Sequence, residues 1–261
     1  RVWYNTFAHY VMVEEQVTPF KRCHFEPCTF THFRDGLVDL NGRDQRIVLS
    51  VYVDDGRTWD NCPDVCDGFY SRLKSRFSIT MDGASKFMIG MDISLGEGWL
   101  KICSSTYIRN MCERWLDYPI GEYDYVGTPA YPKLFDLYEA AALMRGNTPP
   151  ELGTRYRSLV GALIFPAPTT RPDCLYTVGL LARAMDCATE DLFNAAKYCL
   201  VYMGQTHTEG ITYLRDVPGG RRYVHWSDSD WSTRRSTTGG TGQLAGGSTQ
   251  ASSRKQDCTA T

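Results

Sequence analysis

Apolar positions along the 261 residues change their period several times, and each change predicts a change of element. Over residues 1–17, Trp3, Tyr4, Phe7, Tyr10 and Val11 share one helical face. Residues 25–33 predict a strand, followed by a polar turn at Asn41-Gly42-Arg43-Asp44. Residues 47–53 are β-branched and apolar on both faces, which predicts a fully buried strand ending on Asp54-Asp55-Gly56. Pro63 opens a helix with Val65, Phe69, Leu73 and Phe77 spaced by four. Residues 87–93 and 99–103, joined through Leu95-Gly96-Glu97-Gly98, predict a hairpin. Ser104 or Ser105 then caps a helix carrying Tyr107, Ile108, Met111, Cys112, Trp115 and Leu116.

Residues 117–153 are rich in Pro, Gly and Tyr with little period, and predict a long connection. Helical periods return at 154–165, 174–186 and 189–204, the last with Thr189 as candidate N-cap. From Gly210 the texture is that of strands, at 211–214 and 223–226 around a Pro218-Gly219-Gly220 turn. The order is thus mixed α/β, then a helical block, then the opening of a β-rich unit. That last unit holds about 40 residues, too few to bury a core alone, and we expect a chain cut within a domain. The start at Arg1, with no apolar signal segment, fits a processed chain or a piece of a longer one. The longest apolar run, 159–165, stops at Pro166, far short of the roughly 18 residues that span a bilayer.

Composition narrows the class. With 43% hydrophobic and 22% charged residues, disorder and coiled coil are excluded as the dominant state. Lys and Arg total 28 against 30 Asp and Glu, and this −2 balance argues mildly against a free-standing nucleic-acid binder. The balance is uneven: residues 214–261 hold seven basic and four acidic side chains, a net of +3, which leaves −5 for the remainder. Four of the ten cysteines (Cys103, Cys112, Cys174, Cys199) sit in apolar periodic segments, and free thiols in a reducing, intracellular setting are expected. Cys23, His24, Cys28 and His32 form a candidate zinc cluster, but His24 adjoins Cys23 and the spacing departs from paired ligands. Aromatic residues reach 13%, and their helical and strand spacing favours core packing over base stacking.

Tyr52-Val53-Asp54-Asp55 sets two carboxylates at the tip of an apolar strand. Adjacent acids there need water, hydrogen bonds or cations. One reading is an ordinary Asp-Asp-Gly turn in solvent; the other is a share of a divalent-cation site.

Further motifs bear on that choice. Before the acids stand Arg1-x-Trp3-Tyr4-x-x-Phe7, Phe20 and Glu26-Pro27-Cys28-x-Phe30. After them come Arg76-Phe77, Phe87-x-x-Gly90-Met91-x-Ile93, Thr128-Pro129 and Tyr156-Arg157-x-Leu159-Val160-Gly161-x-Leu163. Thr170-Arg171-Pro172-Asp173, Leu181-Ala182-Arg183 and Ala195-Ala196-Lys197 follow. The last segment holds Ser227-Asp228-Ser229-Asp230-Trp231, Arg234-Arg235-Ser236-Thr237-Thr238-Gly239, Gly246-Gly247 and Lys255-Gln256. With these motifs in this order, the chain resembles the reverse transcriptase and ribonuclease H region of copia-type retrotransposon Pol polyproteins over nearly its whole length.

The resemblance implies an α+β fold: a partial right-hand polymerase palm and helical thumb, then the first strands of a ribonuclease H-like domain. Residues 1–116 would be the C-terminal part of the palm, 117–213 a largely helical thumb or connection, and 214–261 a truncated ribonuclease H-like domain. It implies RNA-directed DNA polymerase chemistry with two Mg²⁺ ions activating the primer hydroxyl and stabilising the leaving pyrophosphate. Asp54 and Asp55 match the polymerase carboxylates, with Asp54 the foremost metal ligand and Tyr52 beside the primer terminus. Asp228 matches the first ribonuclease H carboxylate, with Asp230 as runner-up, and both are candidate metal ligands. A polar turn in solvent is the alternative for both. Lys197, Arg234 and Arg235 are candidate phosphate contacts; for the arginine pair a solvated loop is equally open. The implied partners are a template-primer or RNA–DNA hybrid, together with missing polyprotein segments or another protein, and no membrane.

The chain also departs from the family pattern. An aspartate on an earlier palm strand and the nucleotide-binding fingers have no counterpart. The apolar second strand expected after Asp55 is replaced by Gly56-Arg57-Thr58-Trp59-Asp60, which predicts a shortened or bent hairpin. Leu192, Tyr198 and Val201 stand where basic residues are expected, which predicts apolar surface in place of phosphate contacts. The expectation is therefore a fragment without polymerase activity, with a domesticated, non-catalytic structural or interaction subunit as the alternative.

Overall fold

Side chains that alternate along residues 29–60 organise the first part of the chain. The computed structural model describes residues 2–81, 83, 86–218, 220, 222–229 and 236–256. One compact unit spans Arg1–Ser85 and another Lys86–Thr261.

In the first unit, α1 (Val2–His9) runs into a π-helical turn at Tyr10–Glu14. An antiparallel sheet follows in the order β1 (Lys21–Arg22), β2 (Thr29–Val38), β3 (Asp44–Tyr52), β4 (Asp55–Asp60). Helix α2 (Pro63–Arg76) closes the unit, with Pro in its first turn. Phe30, Ile47, Leu49 and Val51 point to one face of the sheet and pack with Phe7, Val11, Phe69 and Leu73. β3 is buried on that face alone: Val48 and Ser50 are half-buried and Tyr52 is exposed, so the strand is not covered on both sides as its apolar run predicts. The turn after α1 is held by Glu15, only 3% exposed. Its carboxylate accepts the Val17 and Thr18 N–H groups at 3.1 and 2.9 Å and pairs with Arg72 at 2.9 Å.

The second unit begins with β5 (Phe87–Met88), β6 (Met91–Gly96) and β7 (Trp99–Cys103), the hairpin the sequence predicts. Helix α3 (Ser105–Trp115) follows, but neither serine caps it through its side chain. Asp92 of β6 does so instead, accepting the Thr106 N–H at 2.9 Å. The 117–153 connection holds a helix that its weak period hides, α4 (Leu134–Ala142). Then come α5 (Pro150–Ile164), α6 (Pro166–Thr169), α7 (Leu175–Arg183) and α8 (Glu190–Gln205). Thr189 caps α8 as predicted, its hydroxyl accepting the Leu192 N–H at 3.2 Å. Tyr156, Leu159, Leu163, Leu181, Leu192 and Leu200 form the centre of this helical core, all but fully buried.

β8 (Gly210–Leu214) does not open a new sheet; it pairs with β7 from Trp99↔Leu214 to Cys103↔Gly210. β9 (Val224–Ser229), β10 (Thr237–Leu244) and β11 (Gly247–Lys255) form a separate antiparallel sheet in the order β11-β10-β9. That sheet is tied to β8 by the Leu214 N–H to Ala245 O and by the Tyr213 hydroxyl to Ser248 O, both 2.8 Å. Gly247 allows the approach, since a Cβ there would meet the Tyr213 ring at 2.5 Å. The fold is mixed α/β with antiparallel sheets.

Candidate functional site

The hairpin β3–β4 is regular. Six residue pairs, from Ile47↔Asp60 to Tyr52↔Asp55, hold it without interruption, so Gly56–Asp60 neither shortens nor bends it as the sequence predicts. The reason is local. Gly56 and Thr58 face inward, and the Thr58 hydroxyl meets the Tyr70 hydroxyl of α2, which satisfies a polar inner face. Val53 and Asp54 form the two-residue turn, with Val53 at φ +54. Asp54, Asp55 and Tyr52 are all exposed.

The strand register decides what surrounds them. Tyr52, Asp55, Arg57 and Trp59 stand on the outer face, with Ser50, Val48 and Arg46 of β3, Thr29, Thr31 and Phe33 of β2 and Lys21 of β1. The helices of this unit pack on the other face. Phe33 and Trp59 are 51% and 45% exposed. Hydroxyl, aromatic and cationic side chains thus share one sheet face, with the two acids at its rim.

Asp228 lies on β9, opposite Gly239 of β10, and its Oδ1 accepts the Ser229 N–H at 2.8 Å. Asp230, Arg234 and Arg235 lie outside the described residues. Lys197 is engaged within the helical block: its Nζ donates to Asp117 Oδ2 at 2.7 Å and sits 5.5 Å from the Phe193 ring. Asp54 and Asp55 belong to the first unit and Asp228 to the second. His32 of the cysteine–histidine segment is buried, with Nδ1 2.9 Å from Pro19 O. Leu192 and Val201 are buried core positions, so they are packing residues and not exposed apolar replacements for phosphate contacts.

The Mg²⁺ pair implied by the resemblance needs several converging carboxylates. Among the described residues, no group of three or more His, Cys, Asp or Glu side chains is placed to hold a metal. Asp54 and Asp55 by themselves do not make a two-metal centre.

Sequence reasoning missed the best-defined polar cluster. Arg171 is 1% exposed, bonds Asp173 through Nε and Nη2 at 3.1 and 2.7 Å, and donates to Thr206. Its guanidinium lies 5.2 Å from the Tyr202 ring, and the Tyr202 hydroxyl donates to Asp173 at 2.9 Å. Burial alone would push the Asp173 carboxyl up, but the Arg171 guanidinium outweighs it and holds the group below the usual carboxylate range. Burial first, then the carboxylate beside it, pushes Tyr202 up to about 12. The signal was present in Thr170-Arg171-Pro172-Asp173, a charged pair between helical segments, but sequence alone places such a pair in solvent.

No family model matches the chain, and no solved structure matches it. Curated proteins do. Over 105 residues it is 35% identical to the secreted RxLR effector protein 161 of Plasmopara viticola, which covers 39% of this chain and 72% of that protein. Over 188 residues it is 30% identical to the retrovirus-related Pol polyprotein from transposon RE2 of Arabidopsis thaliana, 71% of this chain. It is 25% identical over 276 aligned positions, the whole chain, to the retrovirus-related Pol polyprotein from transposon TNT 1-94 of Nicotiana tabacum. The chain spans 12% and 19% of these two polyproteins. It therefore belongs to the family of the secreted RxLR effector protein 161, and its homology to plant transposon polyproteins marks a retrotransposon Pol origin.

Proposed function

We propose that this chain descends from the reverse transcriptase–ribonuclease H part of a copia-type Pol polyprotein, that it binds nucleic acid, and that by itself it does not polymerise. The observation that carries the reading is the outer face of the β1–β4 sheet. Lys21, Arg46 and Arg57 supply cations, Phe33 and Trp59 supply stacking surfaces, and Asp54 and Asp55 mark the rim. Under this reading the first unit is palm-derived, the helical block thumb-derived and β9–β11 the start of a ribonuclease H-like sheet. With only two carboxylates at the hairpin, nucleotidyl transfer is not expected.

Binding of the 261-residue chain to an RNA–DNA hybrid, measured against salt, tests the first part. Lys21→Gln and Arg46→Gln should each weaken binding and reduce the slope of log K on log salt by about 1. Absence of binding at low salt would overturn it. Primer extension with Mg²⁺ tests the second part, and incorporation of even one nucleotide by the purified chain would overturn it.

The similarity to a secreted effector favours a second reading, an interaction protein without catalysis. The −5 balance outside residues 214–261 fits it as well. A stable protein complex formed by a chain that ignores nucleic acid would select this reading.

A further inference from the structure

An open groove of about 740 Å³ lies in the second unit between the β9–β11 sheet and residues 172–176. Its origin is the small side chains of the sheet. The register sets Trp226, Asp228, Gly239, Thr241 and Ala251 on one face, so Gly239 and Ala251 leave space beside the indole and the carboxylate. Pro172, Leu175 and Tyr176 form the opposite wall. The volume falls in the range of small-molecule sites.

The lining is selective. Trp226 and Tyr176 border the space yet remain 51% and 46% exposed, so their rings are available for stacking. Two carboxylates, Asp173 and Asp228, also line it, whereas no described Lys, Arg or His does. The charge of Asp173 is already balanced by the buried Arg171 guanidinium at 2.7 Å. Among the described residues no ion pair engages Asp228. A carboxylate with no ion pair among the described residues, beside two aromatic faces, is an environment that attracts an organic cation. Among the described lining residues an anion meets acids, hydroxyls, rings and small apolar groups, and no cationic side chain.

We propose that this groove is a binding site for a small monocation, an amine or quaternary ammonium carried on a compact apolar body, with Asp228 as counter-ion and Trp226 and Tyr176 as its aromatic walls. The proposal goes beyond the nucleic-acid reading, since it asks neither a metal nor a phosphate of Asp228.

Calorimetric titration of the full chain with benzyltrimethylammonium tests it, with benzyl alcohol and benzoate as neutral and anionic probes of like size. The cation should bind at least about tenfold more tightly than either control, and Asp228→Asn should remove most of that preference. Trp226→Leu should weaken the cation by a similar factor. Both side chains are exposed, and circular dichroism of each variant confirms folding. Equal affinity for the three probes would overturn the proposal, as would a cation affinity untouched by both substitutions. Nucleic-acid binding by the first unit is read separately, so the two proposals fail independently.

Discussion

Val53 holds a backbone conformation that suits it poorly. At φ +54 a β-branched side chain crowds its own carbonyl, which costs about 1–2 kcal/mol, whereas glycine adopts this region freely. Val53→Gly is expected to stabilise the protein by about 0.5–1 kcal/mol after the larger chain entropy of glycine is subtracted, as read from the denaturation midpoint. Arg171 behaves in the opposite way. Its loss strips a buried network, and Arg171→Leu should cost about 3 kcal/mol, the lower end for a broken buried pair, because Asp173 is 41% exposed and can be rehydrated. The two residues differ equally in how legible they are. Val53 reads as the end of the apolar strand, yet the turn falls on Val53 and Asp54, ahead of the Asp-Asp-Gly that announces it, and nothing local reveals its φ. Arg171 reads as a surface cation, and only the contacts brought by Tyr202 and Thr206, more than 30 positions away, make it a core residue.

Between elements, the Glu15–Arg72 pair joins the end of the π-helical turn to α2. Burial alone would raise the Glu15 pKa, but the Arg72 hydrogen bond and the Thr18 and Val17 N–H groups outweigh it, so the folded value lies below the ordinary one. A depressed carboxylate contributes stability that is fully present above its unfolded pKa, about 4.3, and lost as pH falls through the folded value. Denaturation measured from pH 7 down to pH 3 should show that loss, and Glu15→Gln should be less stable at pH 7 while losing less on acidification. Elements built on a strong local period were legible: α2, α5, α8 with its Thr189 cap, and the β6–β7 hairpin. Those resting on distant partners were not. α4 hides in a segment whose Pro and Gly mask about two and a half turns of apolar spacing, and the cap of α3 comes from Asp92 on a strand. The candidate carboxylates were legible as residues, while the open sheet face beside them required the register of four strands.

At the scale of the molecule, two cores share no buried residue, one around Phe30, Ile47 and Phe69 and the other around Tyr156, Leu163 and Leu200. Calorimetric unfolding is expected to resolve two transitions. Leu49→Ala should lower one and Leu163→Ala the other, each by the equivalent of about 2–5 kcal/mol, and a single transition moved by both would refute separate cooperative units. The pairing of β7 with β8 carries a consequence for the way the second unit is made. Cys103 and Gly210 are about a hundred residues apart, so completing that sheet closes a loop containing the whole helical block. During synthesis from the N-terminus, β7 leaves the ribosome long before its partner and presents an unpaired edge, Trp99 to Cys103, to other nascent chains. Within this sheet β8 is the last strand to arrive, and its late pairing is expected to prolong the interval in which that edge can recruit another chain.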